Sequence, residues 1–276
     1  MDQESLEATL SDLNLGAVRY FDQLDSTNNA AARWVEQGAP NMALVVADEQ
    51  TAGRGRVGRK WYTPPGSALA FSLILYPEGD QRYVLSRLTA LGAVAVSEAL
   101  RRGYGLQTQI KWPNDVLVER RKVCGVLAEA QWSGGSLEAV VLGIGINVSA
   151  GSIEGSGLKL ANEKLNFPAA ALEQFLHKSV EREALLKTIL ASIKEWLGKL
   201  GTQEFLQTWE ARLAFRGEWV QIVPNENSGE AEQPVQEGKI TGLAPDGALK
   251  LRISSGETIT VQVGEMRLRP IESATG

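Results

Sequence analysis

The sequence predicts an α+β protein in which a large domain of mixed strands and helices precedes a small all-β unit. Two observations predict this class. Short apolar runs of strand length are interspersed with segments of helical periodicity as far as residue 214. Beyond that point short strands follow one another, separated by polar turns that contain glycine. We therefore expect a larger domain over 1–214 and a small β-barrel over 215–276.

Strands of the larger domain are predicted from short apolar runs bounded by turn residues. These runs are MALVVAD (42–48), ALAFSLILY (68–76), QIKW (109–112), DVLVE (115–119), KVCGVLAEAQW (122–132) and LEAVVLGIGINV (137–148). The last two flank WSGGS, whose paired glycines favour a hairpin connection. Because the strands are apolar on both faces, we expect a sheet covered by helices.

Helices are predicted where apolar residues recur at intervals of three and four positions. They are expected over DSTNNAAARWVEQG (25–38), over 82–102 and over most of 168–213. Ser26 or Thr27 can cap the first helix, and Gly38 can end it. The stretch from Gly151 to Phe167 is expected to be a loop.

The small C-terminal unit is predicted from runs of alternating character, which are WVQIV (219–223), GKITGLA (238–244), ALKLRI (248–253) and TITVQV (258–263). The polar, acidic segment PNENSGEAEQP (224–234) is expected to be a mobile loop between two of these strands.

Composition excludes several classes of protein. The 276 residues carry a net charge of −5, which argues against a general nucleic-acid binder. One cysteine excludes an internal disulfide, and one histidine leaves little room for a zinc site. The N-terminus lacks the features of a secretory signal, and no apolar run approaches the roughly 20 residues of a membrane span. We expect a cytoplasmic protein without membrane contact.

One basic stretch stands out against this acidic background: QTAGRGRVGRKWYTPPGS, residues 50–67. It alternates cationic residues with glycines, namely Arg54, Arg56, Arg59 and Lys60 with Gly53, Gly55 and Gly58. Arginine suits bidentate contacts to phosphate, and glycine lets backbone N–H groups approach an anion. We call this stretch the Gly/Arg loop and expect it to order on an anionic ligand.

Two other interpretations of this loop exist. Gly53 to Gly58 satisfies the dinucleotide-binding pattern G-x-G-x-x-G, but Pro64 and Pro65 follow where that fold requires a helix. No G-K-[ST] ending is present, so the loop is not a Walker loop. A solvated basic loop without function remains the alternative.

Three further stretches carry candidate site residues. In IKWPNDV, Lys111 ends an apolar strand just before a proline turn. It is either a cation held in place to bind carboxylate or phosphate oxygens, or an ordinary surface lysine. Asp115 of the same stretch is a candidate base or a turn residue. In DSTNNAA, Ser26 and Thr27 are ligand contacts or helix caps. In GIGINV, the glycines permit close packing or contact with a ligand. Glu129, a charge within an apolar strand, is paired or lies at an edge.

In combination, DSTN, the Gly/Arg loop with Gln50, KWPNDV followed by RKVCGVLAE, and GIGINV closely resemble the biotin–protein ligases, or biotin–[acetyl-CoA-carboxylase] ligases. The resemblance covers about residues 20 to 150, and Trp209-Glu210 with the C-terminal unit extends it. It implies a catalytic domain like that of class II aminoacyl-tRNA synthetases, with a mixed sheet and helices, followed by a Src-homology-3-like barrel.

The resemblance also implies a reaction. Biotin and ATP, with Mg²⁺, give biotinyl-5′-adenylate and pyrophosphate, and biotin then passes to a lysine of the biotin carboxyl carrier domain of a carboxylase. Family members that repress transcription carry a helix-turn-helix domain before the DSTN stretch, whereas only about twenty residues precede it here. We therefore expect the monofunctional type without DNA binding, and a homodimer is compatible with the resemblance.

Residue roles are carried over from the matching motifs. The implied biotin contacts are Ser26, Thr27, Asn28, Gln50, Gly53, Arg54 and Lys111. The implied ATP contacts are Arg56, Arg59, Trp61, Lys122 and Asn147. Lys111, Arg54 and Arg56 are the implied catalytic residues, and no metal ligand is assigned. The rival hypotheses are a lipoate–protein ligase, which shares the adenylate chemistry, and a nucleotide- or RNA-binding module that uses the basic loop.

Overall fold

The computed structural model describes residues 1–78, 84–154, 167–223, 236–262 and 267–270. Its larger part is built on a seven-stranded mixed sheet in the order β1-β2-β3-β7-β6-β5-β4. The strands are β1 (Ala17–Leu24), β2 (Ala43–Gln50), β3 (Ala68–Leu75), β4 (Thr108–Lys111), β5 (Asp115–Val118), β6 (Arg121–Ser133) and β7 (Ser136–Asn147). Only β1 and β2 pair in parallel; the other neighbours are antiparallel. The predicted α+β class is confirmed.

Helices lie on both faces of this sheet. They are α1 (Gln3–Leu10), α2 (Thr27–Val35), α3 (Val84–Tyr104), α4 (Gly151–Glu154), α5 (Glu173–Leu176), α6 (Arg182–Leu197) and α7 (Gln203–Ala211). Helix α2 packs on β2, β3 and β7, while α3 packs on β6 and β7 and against α6. All eight residues of β3 are buried, because this central strand is covered on both faces.

In the larger part, α1 and β1 were not predicted because their apolar pattern is weak. Helix α1 is short and largely polar, and it begins at a capping box in which Asp2 accepts from the backbone N–H of Ser5. Strand β1 lies at the sheet edge, and its residues are only partly buried or exposed. The expected loop from Gly151 to Phe167 contains the short helix α4; residues 155–166 lie outside the described residues.

The C-terminal unit is an antiparallel sheet of five strands in the order β11-β10-β9-β8-β12. Its strands are β8 (Trp219–Val223), β9 (Gln236–Leu243), β10 (Leu249–Arg252), β11 (Thr258–Val261) and β12 (Arg267–Pro270). The first four were predicted, and β12 was not. The predicted mobile loop over 224–234 and residue 263 fall outside the described residues.

The C-terminal sheet is tied to the turn that follows β4. The indole Nε1 of Trp112 donates to the carbonyl oxygen of Gly247 at 3.0 Å. On α7, Glu210 Oε2 accepts from the backbone N–H of Leu243 at 2.9 Å. The segment that carries Lys111 is therefore braced from the C-terminal side. In the described part of the chain, no helix combines the length and apolar character of a membrane span.

Candidate active site

A cleft opens to solvent on the face of the sheet that carries α2. Its walls come from the first turn of α2, the end of β2, the Gly/Arg loop, the turn after β4, and the middle of β6 and β7. Residues predicted from separate motifs meet here, namely Ser26, Thr27, Asn28, Gln50, Arg54, Arg56, Trp61 and Lys122.

The first turn of α2 contributes polar groups that are not used up by capping. Ser26 occupies the N-cap position, but its side chain makes no capping hydrogen bond. Ser26, Thr27 and Asn28 are each at most 4% exposed, and all three line the cleft. Capping therefore does not account for the hydroxyl of Ser26, which favours the ligand-contact interpretation of this stretch.

A chain of buried hydrogen bonds fixes the polar end of the cleft. Gln50 Oε1 accepts from the backbone N–H of Thr27 at 2.8 Å and from its hydroxyl at 3.2 Å, while Gln50 Nε2 donates to Thr63. The Ser72 hydroxyl donates to Asn28 Oδ1 at 2.6 Å and lies 2.8 Å from Thr27 Oγ1. Ser72 was not among the predicted site residues, although a lone serine in the apolar run ALAFSLILY was a usable signal.

The open question about Glu129 is answered by its contacts. Its Oε2 accepts from Asn28 Nδ2 at 2.6 Å and from Arg54 Nη2 at 2.7 Å. The carboxylate is therefore paired, and its partners belong to α2 and to the Gly/Arg loop.

Glycines on neighbouring strands form part of the cleft floor. Gly125 of β6 faces Gly145 of β7 across the ladder. A Cβ atom at Gly145 would lie 2.6 Å from the Trp61 indole, and one at Gly143 would lie 2.0 Å from Asn28 Oδ1. Both sites need glycine because a neighbouring side chain occupies the space of a Cβ atom. Gly125, which also lines the cleft, was not among the predicted positions.

The Gly/Arg loop folds back on itself as an irregular hairpin. The backbone N–H of Trp61 donates to the Gly53 carbonyl at 2.8 Å, and that of Gly55 donates to the Arg59 carbonyl at 2.7 Å. A single 3₁₀ turn, Arg56–Gly58, forms the tip. No α-helix begins in this described segment, so the dinucleotide-binding interpretation is wrong, as Pro64 and Pro65 indicated.

Cationic side chains surround one buried carboxylate beside the cleft. Lys122 Nζ lies 2.7 Å from Asp115 Oδ1. Burial opposes ionisation of Asp115, but the charges of Lys122, Lys111 and Arg59 outweigh it and hold the pKa of this carboxyl below its usual value. Burial lowers the pKa of Arg56, and the Asp115 charge opposes that shift. A carboxylate with a lowered pKa is a weak proton acceptor, which favours the turn role of Asp115 over the role of base.

Four of the predicted residues do not line the cleft: Gly53, Arg59, Lys111 and Asn147. Lys111 pairs with Asp115 across the β4–β5 ladder, and its Nζ lies 4.6 Å from the ring centroid of Phe167. The amide of Asn147 is buried and donates to the Ala170 carbonyl at 3.2 Å. The assigned roles of all four stay predictions.

The residue chemistry offers no separate metal site. Within the described ranges, no group of three or more His, Cys, Asp or Glu side chains is placed to hold an ion. The carboxylates of Asp115 and Glu129 are already paired with Lys122 and Arg54. The side chains in the described part of the chain therefore do not fit a resident Mg²⁺ ion.

Known proteins resemble this chain in both sequence and fold. The family model described as "Biotin/lipoate A/B protein ligase family" matches residues 20–147. The chain is 37% identical over 171 residues to the bifunctional ligase/repressor BirA of Bacillus subtilis and spans 50% of that relative's length. It is also 33% identical over 240 residues to the biotin–[acetyl-CoA-carboxylase] ligase of Paracoccus denitrificans. This match covers 85% of this chain and 94% of that relative.

The fold agrees with a solved structure as well. The biotin protein ligase of Aquifex aeolicus in complex with biotin and ATP superposes with a TM-score of 0.76 at 30% identity, covering 92% of this chain and 99% of that one. Since the relative from Paracoccus is matched over nearly its whole length, and the motifs shared with the family converge on one cleft, the chain belongs to the biotin/lipoate A/B protein ligase family, and within it to the biotin protein ligases.

Proposed function

We propose that the protein activates biotin with ATP to biotinyl-5′-adenylate and pyrophosphate, and then transfers biotin to a lysine of a biotin carboxyl carrier domain. One observation carries the proposal: a single cleft joins a buried neutral hydrogen-bonding end, at Thr27 and Gln50, to a cationic end at Arg56 and Lys122. Biotin and ATP together need these two environments. The relative from Aquifex aeolicus was solved with both ligands.

The neutral end suits the ring system of biotin. A cyclic urea offers N–H donors and a carbonyl acceptor, and a buried site discriminates by pairing such groups. Ser26, Thr27, Asn28 and Gln50 supply hydroxyls and amides there. Their hydrogen bonds to one another hold them in place before a ligand arrives, so little ordering entropy is lost on binding.

The cationic end suits the chemistry of the first step. A carboxylate attacks the α-phosphate of ATP, and two unit charges about 4 Å apart repel by several kcal/mol at an effective dielectric constant near 20. Lys111, Arg56 and Arg59 would offset this repulsion and stabilise charge that develops on the phosphate oxygens. The biotin carboxylate is already ionised at neutral pH, so this step requires no general base.

The mixed anhydride product must be kept from water until the carrier lysine arrives. The Gly/Arg loop forms one wall of the cleft, which Arg54, Gly55, Arg56 and Trp61 line, and the Trp61 indole lies against Gly145. A loop that covers the adenylate excludes solvent and retains the intermediate. The target lysine then attacks the acyl carbon, AMP leaves, and an amide bond forms.

We expect ligands to protect the Gly/Arg loop from proteolysis. Tyr62 is 42% exposed beside the partly buried Trp61, so a chymotrypsin-like protease has a site there. Biotin with ATP should slow cleavage after these residues by about tenfold or more, because cleavage requires local opening. Cleavage rates read by mass spectrometry measure this, with ATP alone as the control. Unchanged cleavage in the presence of both ligands would count against a covering role.

Replacing Arg56 or Arg59 with alanine should release the intermediate early. Each variant loses a charged contact to the adenylate, and such contacts are worth roughly 1.5–3 kcal/mol, or about tenfold or more in dissociation rate. The readout is biotinylation of lysines on an unrelated bystander protein, compared with wild type. If neither variant labels the bystander more than wild type does, the loop does not retain the adenylate through these residues.

The function is tested by incubating the protein with radiolabelled biotin, ATP and Mg²⁺, with and without a carrier domain. We expect biotinyl-adenylate without the carrier and covalently labelled carrier with it. Lipoate in place of biotin should give no adenylate, whereas a lipoate ligase would favour lipoate. Salt-sensitive binding to RNA without release of pyrophosphate would instead support a nucleic-acid module. Size-exclusion chromatography with light scattering shows whether the protein is a monomer or a homodimer.

We also propose residues 1–214 and 215–276 as the two domains of this enzyme, and the cytoplasm as its compartment. The first assignment is supported by the seven-stranded sheet and its helices, which end before the second sheet begins at Trp219. The second is supported by the single cysteine, since cytoplasmic proteins rarely use disulfides.

A further inference from the structure

Glu129 joins two parts of the cleft that come from different elements of the fold. It lies on β6, its side chain is 28% exposed, and it contacts two residues that line the cleft. One carboxylate oxygen, Oε2, receives both Asn28 Nδ2 and Arg54 Nη2. Asn28 belongs to the first turn of α2, whereas Arg54 belongs to the Gly/Arg loop. The carboxylate on β6 is therefore a direct link between the loop and α2.

This carboxylate also fixes the orientation of the Asn28 amide. An ionised carboxylate only accepts hydrogen bonds, so Asn28 must turn its NH₂ group toward Glu129. Its Oδ1 then faces the hydroxyl of Ser72, which donates to it at 2.6 Å. Reversing the amide would place Oδ1 against the negative charge and lose the bond to Glu129, whereas the Ser72 hydroxyl can either donate to the amide or accept from it. Glu129 therefore sets the orientation of Asn28 at the biotin end.

The contact also changes what Arg54 can do. The Arg54 side chain is 44% exposed, and its Nη2 lies 2.7 Å from the carboxylate. An arginine so paired contributes little net positive charge toward a polyphosphate. Arg56 and Lys122 line the cleft, and the charge of Arg59 acts on Asp115 beside it. We therefore assign the positive charge that acts on phosphate to these three residues and not to Arg54.

We propose that Glu129 is a positioning residue that tethers the Gly/Arg loop through Arg54 and orients Asn28, so that the loop is held over the biotin end of the cleft. Arg54 acts as the tether, and Arg56 and Arg59 act on the phosphates. This inference rests on the proposed function. It adds a role for Glu129 and distinguishes the role of Arg54 from that of Arg56 and Arg59.

The test uses Glu129→Gln, which keeps the size of the side chain and removes its charge. A matched control is Glu138→Gln, an exposed glutamate on the neighbouring strand β7 outside the cleft. We expect Glu129→Gln to raise the KM for biotin and the dissociation rate of biotinyl-adenylate by about tenfold, because the charged contacts are lost. The KM for ATP should change by less than about twofold. The control should match wild type in all of these quantities.

A double-mutant cycle with Arg54→Ala separates a tether from a general structural role. In the Arg54→Ala background, Glu129→Gln should raise the dissociation rate of the adenylate by a smaller factor than it does in wild type, since the tether is already cut and only the orientation of Asn28 is left to lose. Additive effects would overturn the inference. So would an ATP KM that rises as much as the biotin KM, because the role would then not be confined to the biotin end.

A second measurement needs no substrate and keeps failure of the inference separate from failure of the proposed function. Backbone hydrogen exchange of the loop over 51–63 in the ligand-free protein should be about tenfold faster in Glu129→Gln than in wild type. Unchanged exchange overturns the inference even if adenylate forms normally. If Glu129→Gln exchanges faster but the wild-type protein makes no adenylate, the tether is supported and the ligase function is refuted.

Discussion

Replacing Lys111 with alanine is expected to slow the formation of biotinyl-adenylate by about 100-fold or more, the scale of losing one contact to developing oxyanion charge. Lys111 ends β4, pairs with Asp115 across the ladder and has its Nζ over the Phe167 ring. These neighbours restrict where its ammonium group can reach. ATP-dependent pyrophosphate release with biotin, followed under single-turnover conditions, measures the effect.

Lys187→Ala is a suitable control for this variant. Lys187 forms a surface ion pair with Asp12 at 2.9 Å, on the α6 helix outside the cleft, so its loss should leave adenylation unchanged. Lys111→Arg tests whether charge alone suffices. Adenylation by Lys111→Ala at the wild-type rate would refute the assigned role, whereas a thermal midpoint lowered by many degrees would show that the variant is misfolded instead.

Replacing Gly143 with alanine is expected to weaken biotin binding by about 10- to 100-fold. The added methyl group would lie 2.0 Å from Asn28 Oδ1, a distance that no relaxed structure permits. Asn28 would have to leave its hydrogen bonds to Ser72 and Glu129. Overpacking costs about 1–3 kcal/mol, and losing a charged hydrogen bond costs a similar amount.

Isothermal titration with biotin measures this loss, and Gly198→Ala provides the control. Gly198 has a helical φ of −66°, and a Cβ atom there would meet its nearest neighbour at 3.7 Å. That variant should bind biotin as wild type does. If Gly143→Ala also binds biotin with wild-type affinity, the orientation of Asn28 is not needed for biotin and the assignment of that residue fails.

The strands at the centre of the larger sheet were predictable because burial on both faces leaves long apolar runs. Strand β3 is buried throughout, and the β6–β7 hairpin turns at Gly134 and Gly135, which both have positive φ. Strand β1 was missed because an edge strand needs apolar residues only where it meets the core. Its backbone hydrogen bonds are made by parallel pairing with β2, and the order of residues along the chain does not indicate that pairing.

The site motifs were predictable one by one, and their meeting was not. Ser26, Gln50, Arg56 and Lys122 each stand out by residue type beside glycine, proline or an apolar run. Whether such residues lie close together depends on sheet order, which local sequence does not encode. Without the family resemblance, the Gly/Arg loop could equally be a solvated basic loop without function, and Lys111 could be an ordinary surface lysine.

The sequence by itself determined the fold class, the central strands and helices, the cationic character of the Gly/Arg loop and the family. These properties depend on short-range periodicity and on rare combinations of residues, which are readable along the chain. The tertiary structure alone decided the pairing of Glu129 with Arg54 and Asn28, the use of Ser72, the ion pair of Asp115 with Lys122 and the need for glycine at 143 and 145. Each of these joins residues distant in sequence through contacts of a few ångströms, and only the packed sheet brings those atoms together.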